Sequence, residues 1–279
     1  MRKLFHSIIK TSPPHVALLF LTLTQVLYIK HVKYGLDRNL GPFCQDDSNM
    51  MFVASLFRLL TYRNGIAERQ INLLQEYLID SFLIDEITDN SLIIDCGANV
   101  GDFSLGIYRK CHKRPRIISF EPSPAEYNCL LNNTTYIKEI ESFNIALSNK
   151  CGSSLLQIKS DTADNSLDGV ANFSEAVEVE IQTFDAFSQC NPTLSKLECI
   201  LLFKLEAEGH EYEILLGMKE SLPRIKYITC DLGPEKAGHV STAPESLNLL
   251  YSYGFSILSH NPHRSCFLLV NSSYVAQSV

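Results

Sequence analysis

The chain changes its pattern of apolar and polar residues near position 90. Beyond it, short apolar runs lie at residues 91–96, 116–121, 141–147, 198–206 and 226–232. Between these runs, apolar residues recur at helical spacing at residues 103–111, 125–132, 210–219 and 243–253. Strands that alternate with helices of this length predict βαβ units and a mostly parallel sheet. Two further runs, at residues 255–259 and 266–271, flank a turn-rich stretch and are predicted to complete the sheet as an antiparallel hairpin.

The first 90 residues have a different texture. Residues 51–62 are mostly apolar, and residues 68–83 repeat apolar side chains every three or four positions. This spacing predicts helices. The sequence therefore predicts an α/β domain over residues 89–279, preceded by a helical N-terminal extension over residues 1–88.

An apolar run at residues 16–29 lies within a basic stretch. Residues 1–40 carry six Lys and Arg side chains against the single acid Asp37, a net charge of +5. The run is shorter than the roughly 20 apolar residues that a membrane-spanning helix needs. We expect a helix that packs on the domain, forms a homodimer interface or contacts a membrane surface through residues 16–32. A span or a cleaved signal is the least favoured interpretation.

Composition narrows the class of protein. The 279 residues are 46% apolar, which is typical of a globular chain, and the net charge is −7. This charge disfavours a nucleic-acid-binding protein that relies on overall positive charge. Nine cysteines are scattered without a C-x-x-C pair. They favour reduced thiols in a cytoplasmic protein over a disulfide framework or a zinc site, and we expect no metal.

The first candidate binding motif is the sequence DCGANVGDFS, which begins at Asp95 in the first predicted strand. Gly97 and Gly101 let the chain turn tightly and let a ligand approach bare backbone. The helix that follows offers its N-terminal N–H groups to an anion. The spacing is G-x-x-x-G, so neither the dinucleotide fingerprint nor the phosphate loop of NTPases is present. The motif is therefore either a ligand-binding loop or a tight turn without a ligand.

Glu121 ends the next predicted strand and is followed by Pro122-Ser123-Pro124. An acid about 20 residues after a glycine loop, at the tip of the second strand, is placed to accept hydrogen bonds from ribose hydroxyls. Together with Asp95, it would give the cleft two carboxylates, which suit a ligand with hydroxyls and a positive charge. The alternative is that Glu121 is a solvated loop acid.

A third charged group, KLEAEGHE at residues 204–211, follows the apolar residues 199–203. Lys204, Glu206 and Glu208 alternate, so an extended strand end would place all three on one face. Solvated acids before a helix start are the alternative interpretation.

These motifs occur in a fixed order along the chain. They are DCGANVG at 95–101, FEPSP at 120–124, NIALS at 144–148, TFD at 183–185 and KLEAEGHE at 204–211. The order resembles the FkbM-type S-adenosylmethionine-dependent methyltransferases, and the resemblance covers residues 90–272. It implies a class I methyltransferase fold, which is a Rossmann-like, mostly parallel seven-stranded sheet whose last strand is antiparallel. Glu206 and Asp231 depart from the usual family pattern, which has Asp and Glu at these positions.

The resemblance implies S-adenosylmethionine as the cofactor and a small-molecule or glycan acceptor, methylated on a hydroxyl of a sugar, glycan or related natural product. Of the cofactor-binding residues that it implies, the first four would hold the methionine part, Glu121 would hold the ribose with Pro122 beside it, and the last two would lie near the adenine. In chain order they are Asp95, Gly97, Asn99, Gly101, Glu121, Pro122, Asn144 and Ala146. A non-catalytic interaction module and a nicotinamide-dependent oxidoreductase remain as alternatives.

The expected chemistry is methyl transfer to an aligned hydroxyl oxygen. Alignment supplies roughly 7–11 kcal/mol of barrier reduction, and a general base about 10²–10⁴-fold in rate. The candidate bases are Glu206, Glu208 and His210, with Lys204 beside them. Glu206 is favoured by its position, and His210 is second because imidazole titrates near neutrality. A polar loop at residues 161–169 either closes over the acceptor or is plain surface.

Overall fold

A computed structural model of the chain describes residues 12–25, 32–47, 49–158, 165–167, 175–234 and 240–275. The N-terminal extension is a mixture of helices and strands. Its elements are helix α1 (Pro14–Gln25), strands β1 (Lys33–Asp37), β2 (Gly41–Gln45) and β3 (Met50–Phe52), a 3-10 helix (Leu56–Tyr62), and helices α2 (Ile66–Glu76) and α3 (Ser81–Glu86).

The strands β1–β3 correct the prediction that the extension is helical. They form an antiparallel sheet in the order β1-β2-β3. Gly35 makes close pairing possible, because a Cβ there would lie 2.2 Å from the Phe43 ring. A short apolar run looks alike in a buried strand and in a helix, so periodicity alone did not separate them. The predicted helix at residues 68–83 is also divided, because Leu78 takes a left-handed backbone conformation (φ 62°) and Asp80 caps α3.

The remaining residues form the α/β domain. Its strands are β4 (Leu92–Cys96), β5 (Arg116–Phe120), β6 (Ile140–Phe143), β7 (Ala146–Leu147), β8 (Gly152–Ile158), β9 (Glu175–Gln182), β10 (Ile200–Leu205), β11 (Ile225–Asp231), β12 (Phe255–Asn261) and β13 (Cys266–Asn271). Its helices are α4 (Asp102–Lys110), α5 (Pro124–Thr134), α6 (Phe184–Cys190), α7 (Glu211–Leu216), α8 (Ala243–Ser252) and α9 (Ser272–Val275), with a 3-10 turn at Leu222–Arg224.

The main sheet confirms the predicted class I arrangement. Seven strands lie in the order β12-β13-β11-β10-β4-β5-β6. The neighbours from β11 to β6 are parallel, whereas β13 runs antiparallel to both β11 and β12. Since β4 lies at the centre, the ends of β10 and β5 flank the end of β4. Ligands bind beyond the carboxyl ends of such strands.

The central strands are buried on both faces, as parallel strands covered by helices should be. In β4, Ile93 joins one hydrophobic cluster, while Leu92 and Ile94 join the other cluster on the opposite face. The extension contributes to the first of these clusters, to which Ala17, Met51 and Tyr62 belong. The extension therefore shares a core with one face of the sheet, and the boundary at residues 88–89 stays a prediction.

A second small sheet, in the order β7-β9-β8, was not predicted. Its signal is present in β9, where Val179 and Ile181 are buried and alternate with the exposed Glu178 and Glu180. The predicted strand at residues 141–147 divides into β6 and β7. Asn144 lies at this break, and its side-chain amide donates hydrogen bonds to the backbone carbonyls of Glu121 and Pro122.

Helix α1 packs on the extension by one face. Ala17 and Leu21 are fully buried, whereas Val16, Leu19 and Leu23 are exposed. Within the part of the chain that the structure describes, no helix combines the length and apolar character needed to cross a membrane.

Candidate functional site

A cavity of about 290 Å³ opens where β4, β5 and β10 end. Nine of the predicted site residues line it: Gly97, Asn99, Glu121, Pro122, Ala146, Lys204, Glu206, Glu208 and His210. Its remaining charged and polar lining residues are Arg58, Arg69, Asp102, Asn165 and Arg264. The cavity therefore brings together residues from four of the five motifs and from the N-terminal extension.

Gly97 allows the ends of β4 and β10 to approach each other closely. Its φ is +75°, and a Cβ at this position would lie 1.9 Å from the carbonyl oxygen of Glu206. On the same side, the Glu206 N–H donates to the Cys96 carbonyl over 3.2 Å. Asn99 also has a left-handed backbone, with φ of 52°. The loop after β4 is therefore shaped by its contact with β10 as well as by its own sequence.

Asp95 and Gly101, which were predicted to hold the methionine part of the cofactor, do not line this cavity. Asp95 is fully buried; its carboxylate accepts a 2.6 Å hydrogen bond from the Ser104 hydroxyl and lies 3.3 Å from Lys204 Nζ. Gly101 caps α4 at φ +96°, and a Cβ there would lie 2.9 Å from Leu130. Asp95 and Gly101 therefore hold the loop after β4 in place through contacts outside the cavity, Asp95 with Ser104 and Lys204 and Gly101 with Leu130.

Glu121 lies at the end of β5 and is 6% exposed. One carboxylate oxygen accepts a 2.7 Å hydrogen bond from the Asn99 N–H, and the other accepts a 2.9 Å bond from the Ser123 N–H. Burial, reinforced by the nearby Glu126 carboxylate, raises the pKa of Glu121 to about 8. The two N–H donors fix the carboxylate at the cavity wall, at the end of β5, and its role toward a ribose stays a prediction.

The segment predicted to lie near an adenine divides into two roles. Ala146 and its neighbour Ile145 line the cavity, whereas Asn144 does not. The Asn144 amide donates to the carbonyls of Glu121 and Pro122 over 2.8 and 2.9 Å. Asn144 therefore holds the loop after β5 in place.

The buried Lys204 forms an ion pair with the partly buried Glu206 at the end of β10, over 3.0 Å. The Lys204 ammonium also donates to the carbonyl oxygens of Cys96 and Gly97, over 3.1 and 2.7 Å. Burial disfavours its charge, but Glu206 and Asp95 together raise the pKa of Lys204 above its usual range. The predicted common face holds for these two residues. Glu208 lies beyond the end of β10 in a left-handed conformation (φ 49°), although it still reaches the cavity.

Arg264, in the turn between β12 and β13, is a cavity residue that the sequence did not reveal. Its guanidinium donates to Glu206 Oε1 over 2.5 Å, to Asp231 Oδ2 over 3.0 Å, and to the Tyr77 hydroxyl over 3.2 Å, and it also pairs with Glu76. Burial alone would raise the pKa of Glu206, but Lys204 and Arg264 outweigh it and lower this pKa to about 2. Glu206 is thus an anion held between two cations.

The extension supplies further unpredicted residues. Arg58 donates to the Asn99 side chain over 3.4 Å, and Arg69 lies 3.7 Å from Asp102. The Tyr62 hydroxyl donates to Asp102 over 2.7 Å and so anchors the start of α4. Nothing in the spacing of residues 56–76 marked these side chains as functional, because their partners lie about 40 positions away.

His210 lies just before α7 and is 8% exposed. Its Nε2 lies 2.9 Å from the Ser148 hydroxyl, which links the motif at 204–211 to the motif at 144–148. Its Nδ1 faces Glu213 at 3.9 Å. The adjacent Glu211 accepts from the N–H groups of Ala207 and Gly209, so it braces the loop that carries Glu208 and His210.

Of the polar loop at residues 161–169, only 165–167 lie within the described residues. Asn165 and Leu167 line the cavity, and the Ser166 hydroxyl donates to the Glu208 carbonyl over 2.9 Å. The described residues contain no cluster of three or more His, Cys, Asp or Glu side chains arranged to hold a metal.

The chain is similar to several known proteins. The chain is 27% identical over 225 residues to Methyltransferase 1 of Beauveria bassiana, which covers 72% of this chain and 87% of that protein. It is 26% identical over 192 residues to Methyltransferase sdnD of Sordaria araneosa, over 58% of this chain and 74% of that protein. The solved structure of the FkbM methyltransferase of Methylobacillus flagellatus aligns with a TM-score of 0.43 and 14% identity, over 66% of this chain and 44% of that one, so the chain spans less than half of its length.

The family model described as the Methyltransferase FkbM domain matches residues 95–257, more than half of the chain. These residues include the strand ends that form the cavity, together with Glu121, Lys204, Glu206 and His210. The chain therefore belongs to the FkbM methyltransferase family, and its cofactor is S-adenosylmethionine.

Proposed function

We propose that this chain is an O-methyltransferase that acts on a hydroxyl of a sugar, glycan or related natural product. Its main support is His210, a buried imidazole at the cavity wall whose Nε2 lies 2.9 Å from the Ser148 hydroxyl. A sugar hydroxyl is a weak acid, so its methylation benefits from a base at this position. Membership of a methyltransferase family does not fit the alternative of a nicotinamide-dependent oxidoreductase.

The chemistry of the cavity wall fits S-adenosylmethionine. The cofactor carries two ribose hydroxyls, an ammonium, a sulfonium and a carboxylate. Glu121 provides an acceptor for the hydroxyls, Glu206 and Asp102 provide negative charge, and Arg58 and Arg69 are cations suited to the carboxylate. Pairing each charge with its opposite inside a partly buried cavity strengthens these contacts.

When bound, the cofactor supplies a methyl group on a sulfonium centre, already activated for transfer. The chain then has to exclude water, hold the acceptor oxygen in line and accept a proton. Alignment is the larger contribution, at roughly 7–11 kcal/mol. The rigid walls needed for it come from the braces described above, in which Lys204 joins the ends of β4 and β10 and Glu211 holds the loop before α7.

The base is better assigned to His210 than to Glu206. A carboxylate whose pKa is lowered to about 2 by Lys204 and Arg264 holds a proton poorly. His210 Nε2 accepts a proton in the tautomer that keeps its other proton on Nδ1, toward Glu213. The protonated Nε2 then donates to the Ser148 hydroxyl oxygen, so that Ser148 acts as a positioning residue.

The experiment compares His210→Gln, Glu206→Gln and Glu208→Gln with the parent chain. We expect His210→Gln to lower kcat by about 10²–10⁴-fold while cofactor affinity, measured by calorimetry, stays within about threefold. Ser148→Ala should shift the pH profile of kcat without abolishing transfer. His112→Gln, at an exposed position, is the matched control. Parental turnover in His210→Gln would contradict the assignment of the base.

The acceptor class is tested with S-adenosylmethionine labelled in its methyl group. The purified chain is incubated with fractions of sugars, glycans and small natural products, and the product is analysed by mass spectrometry. We expect one added methyl group on an oxygen. Label on nitrogen or carbon would contradict the O-methyl proposal. Cofactor binding without transfer to any fraction would favour a non-catalytic module.

A further inference from the structure

Helix α1 presents an apolar stripe to solvent although its opposite face is buried. Leu19 and Leu23 are 60% and 58% exposed, and Val16 is 41% exposed. These positions, three and four residues apart, lie on one face of the helix. At 1.5 Å per residue, the stripe extends about 10 Å along the helix axis.

The extension carries further exposed apolar side chains. Of the sixteen large hydrophobic side chains that are exposed among the described residues, six lie between positions 16 and 50, including Leu36, Leu40 and Met50. Single exposed apolar residues are normal, but concentrated ones mark an interaction surface. Exposed apolar side chains are therefore concentrated in this part of the described chain.

Charge indicates the partner of this face. The first 40 residues carry +5, and because the whole chain carries −7, the remaining residues carry −12. Lys10 is four positions before α1, and Lys30 and Lys33 follow it within eight. An anionic surface would attract this end of the chain and repel the rest, which would fix its orientation. Two copies of the chain would instead bring two positive segments together.

We propose that α1 docks on an anionic membrane surface, with Val16, Leu19 and Leu23 inserted at the boundary between head groups and acyl chains. A short apolar stripe alone binds a bilayer weakly, and adjacent basic residues supply the second signal that stable attachment needs. Helix α1 lies on the surface and does not cross it.

Helix α1 is connected to the cavity through the 3-10 helix. The buried face of α1 belongs to the same hydrophobic cluster as Leu59 and Tyr62 of the 3-10 helix. That 3-10 helix carries Arg58, which lines the cavity, and Tyr62, which holds Asp102. The membrane-facing helix and the site thus share one packed unit.

The test is co-sedimentation of the full chain with lipid vesicles. We expect recovery with vesicles of mixed phosphatidylcholine and phosphatidylserine, little recovery with phosphatidylcholine alone, and weaker binding at high salt. The double variant Leu19→Glu, Leu23→Glu should lower the partition coefficient at least about tenfold, because it removes apolar contact and adds repulsive charge. Both side chains are more than half exposed, so thermal unfolding should stay close to that of the parent.

Leu155→Glu is the matched control, since Leu155 is also 60% exposed but lies on β8. It should bind vesicles like the parent chain. Equal binding by the double variant, or no preference for anionic vesicles, would overturn the proposal. A dimer that the double variant dissociates, without vesicle binding by the parent, would also overturn it and assign the stripe to a second copy. These readouts do not depend on methyl transfer.

Discussion

Two glutamates, the buried Glu121 and the partly buried Glu206, flank the central strand of the sheet, and their pKa values are shifted in opposite directions. Glu121 follows β5 and has a pKa raised to about 8, whereas Glu206 follows β10 and has a pKa lowered to about 2. Burial disfavours the charged form of both. Glu121 is held by two backbone N–H groups, while Glu206 lies between the ammonium of Lys204 and the guanidinium of Arg264. The cationic partners account for the difference.

This difference suggests separate roles for the two ends of the site. Glu206 keeps its charge without a ligand, and its ion pair with Arg264 joins β10 to the β12–β13 turn. Arg264 in turn pairs with Glu76 at the end of α2. Among the described residues no Lys or Arg pairs directly with Glu121, so the positive charge and hydroxyls of a cofactor would favour its ionised form. The Glu206 end of the site therefore carries its charge before the cofactor binds, whereas Glu121 becomes ionised when the cofactor binds.

The largest expected effect on stability comes from a substitution at Gly97, where the ends of β4 and β10 approach each other closely. In Gly97→Ala the new methyl group would lie 1.9 Å from the Glu206 carbonyl oxygen, at a φ of +75°. We expect the free energy of unfolding to fall by more than about 4 kcal/mol, measured by urea denaturation.

Gly152→Ala is the matched control for this substitution. Gly152 also has a positive φ, but a Cβ there would have no neighbour within 4 Å. It should cost only the backbone strain, about 1–2 kcal/mol. Equal losses for the two variants would mean that the contact with Glu206 is unimportant.

The next largest effect should come from Arg264→Met, which removes one cation from Glu206. The carboxylates of Glu76, Glu206 and Asp231 would lose their shared partner, and stability should fall by about 3 kcal/mol. Arg116→Met breaks an exposed pair with Glu141 and should cost less than about 1 kcal/mol. If Arg264→Met lowers the free energy of unfolding no more than Arg116→Met does, the Glu206 end of the site is not held together by Arg264.

Glu121→Gln tests the other end. The uncharged amide accepts weaker hydrogen bonds and offers no negative charge to the cofactor. We expect the Kd for S-adenosylmethionine to rise by about 10–100-fold in calorimetry, while Glu141→Gln, at an exposed site, leaves it unchanged. The parent chain should also release protons on binding near pH 7, seen as a dependence of the measured heat on buffer, and Glu121→Gln should not. Proton release by the variant would contradict the role assigned to Glu121.

The smallest effect is the pH dependence of stability without cofactor. Between pH 4.5 and about 8 the folded chain keeps a proton on Glu121 that the unfolded chain has lost, so stability falls as pH rises through this window. Glu206 acts in the opposite sense, because its contribution is present above pH 4.5 and is lost as pH falls toward 2. Each changes the free energy of unfolding by at most about 1.4 kcal/mol per pH unit. Thermal unfolding of Glu121→Gln should lose the first dependence only, and that of Glu206→Gln the second only.

Local sequence was sufficient for much of the catalytic domain. The strands and helices around Gly97, Glu121 and Lys204 were predicted because their apolar runs have lengths and flanking residues typical of βαβ units. Prediction was weaker in the extension, where short apolar runs at β3 and in the 3-10 helix lack a distinguishing period. The alternation in β9 was present in the sequence but was not used.

The sequence by itself determined the family resemblance, the mostly parallel sheet with its antiparallel hairpin, and the places of Glu121, Lys204, Glu206 and His210 at or just after strand ends. The elements follow from spacing within a few residues, and the family resemblance follows from the order of the motifs along the chain. Tertiary structure decided the ionisation of Glu206 through Arg264, 58 positions away, and the placement of Arg58 beside Asn99, 41 positions away. Tertiary structure also buried Asp95, whose carboxylate contacts Ser104 and Lys204 and does not line the cavity. A carboxylate's pKa depends on the charges packed around it, and distant charges come together only when the chain folds.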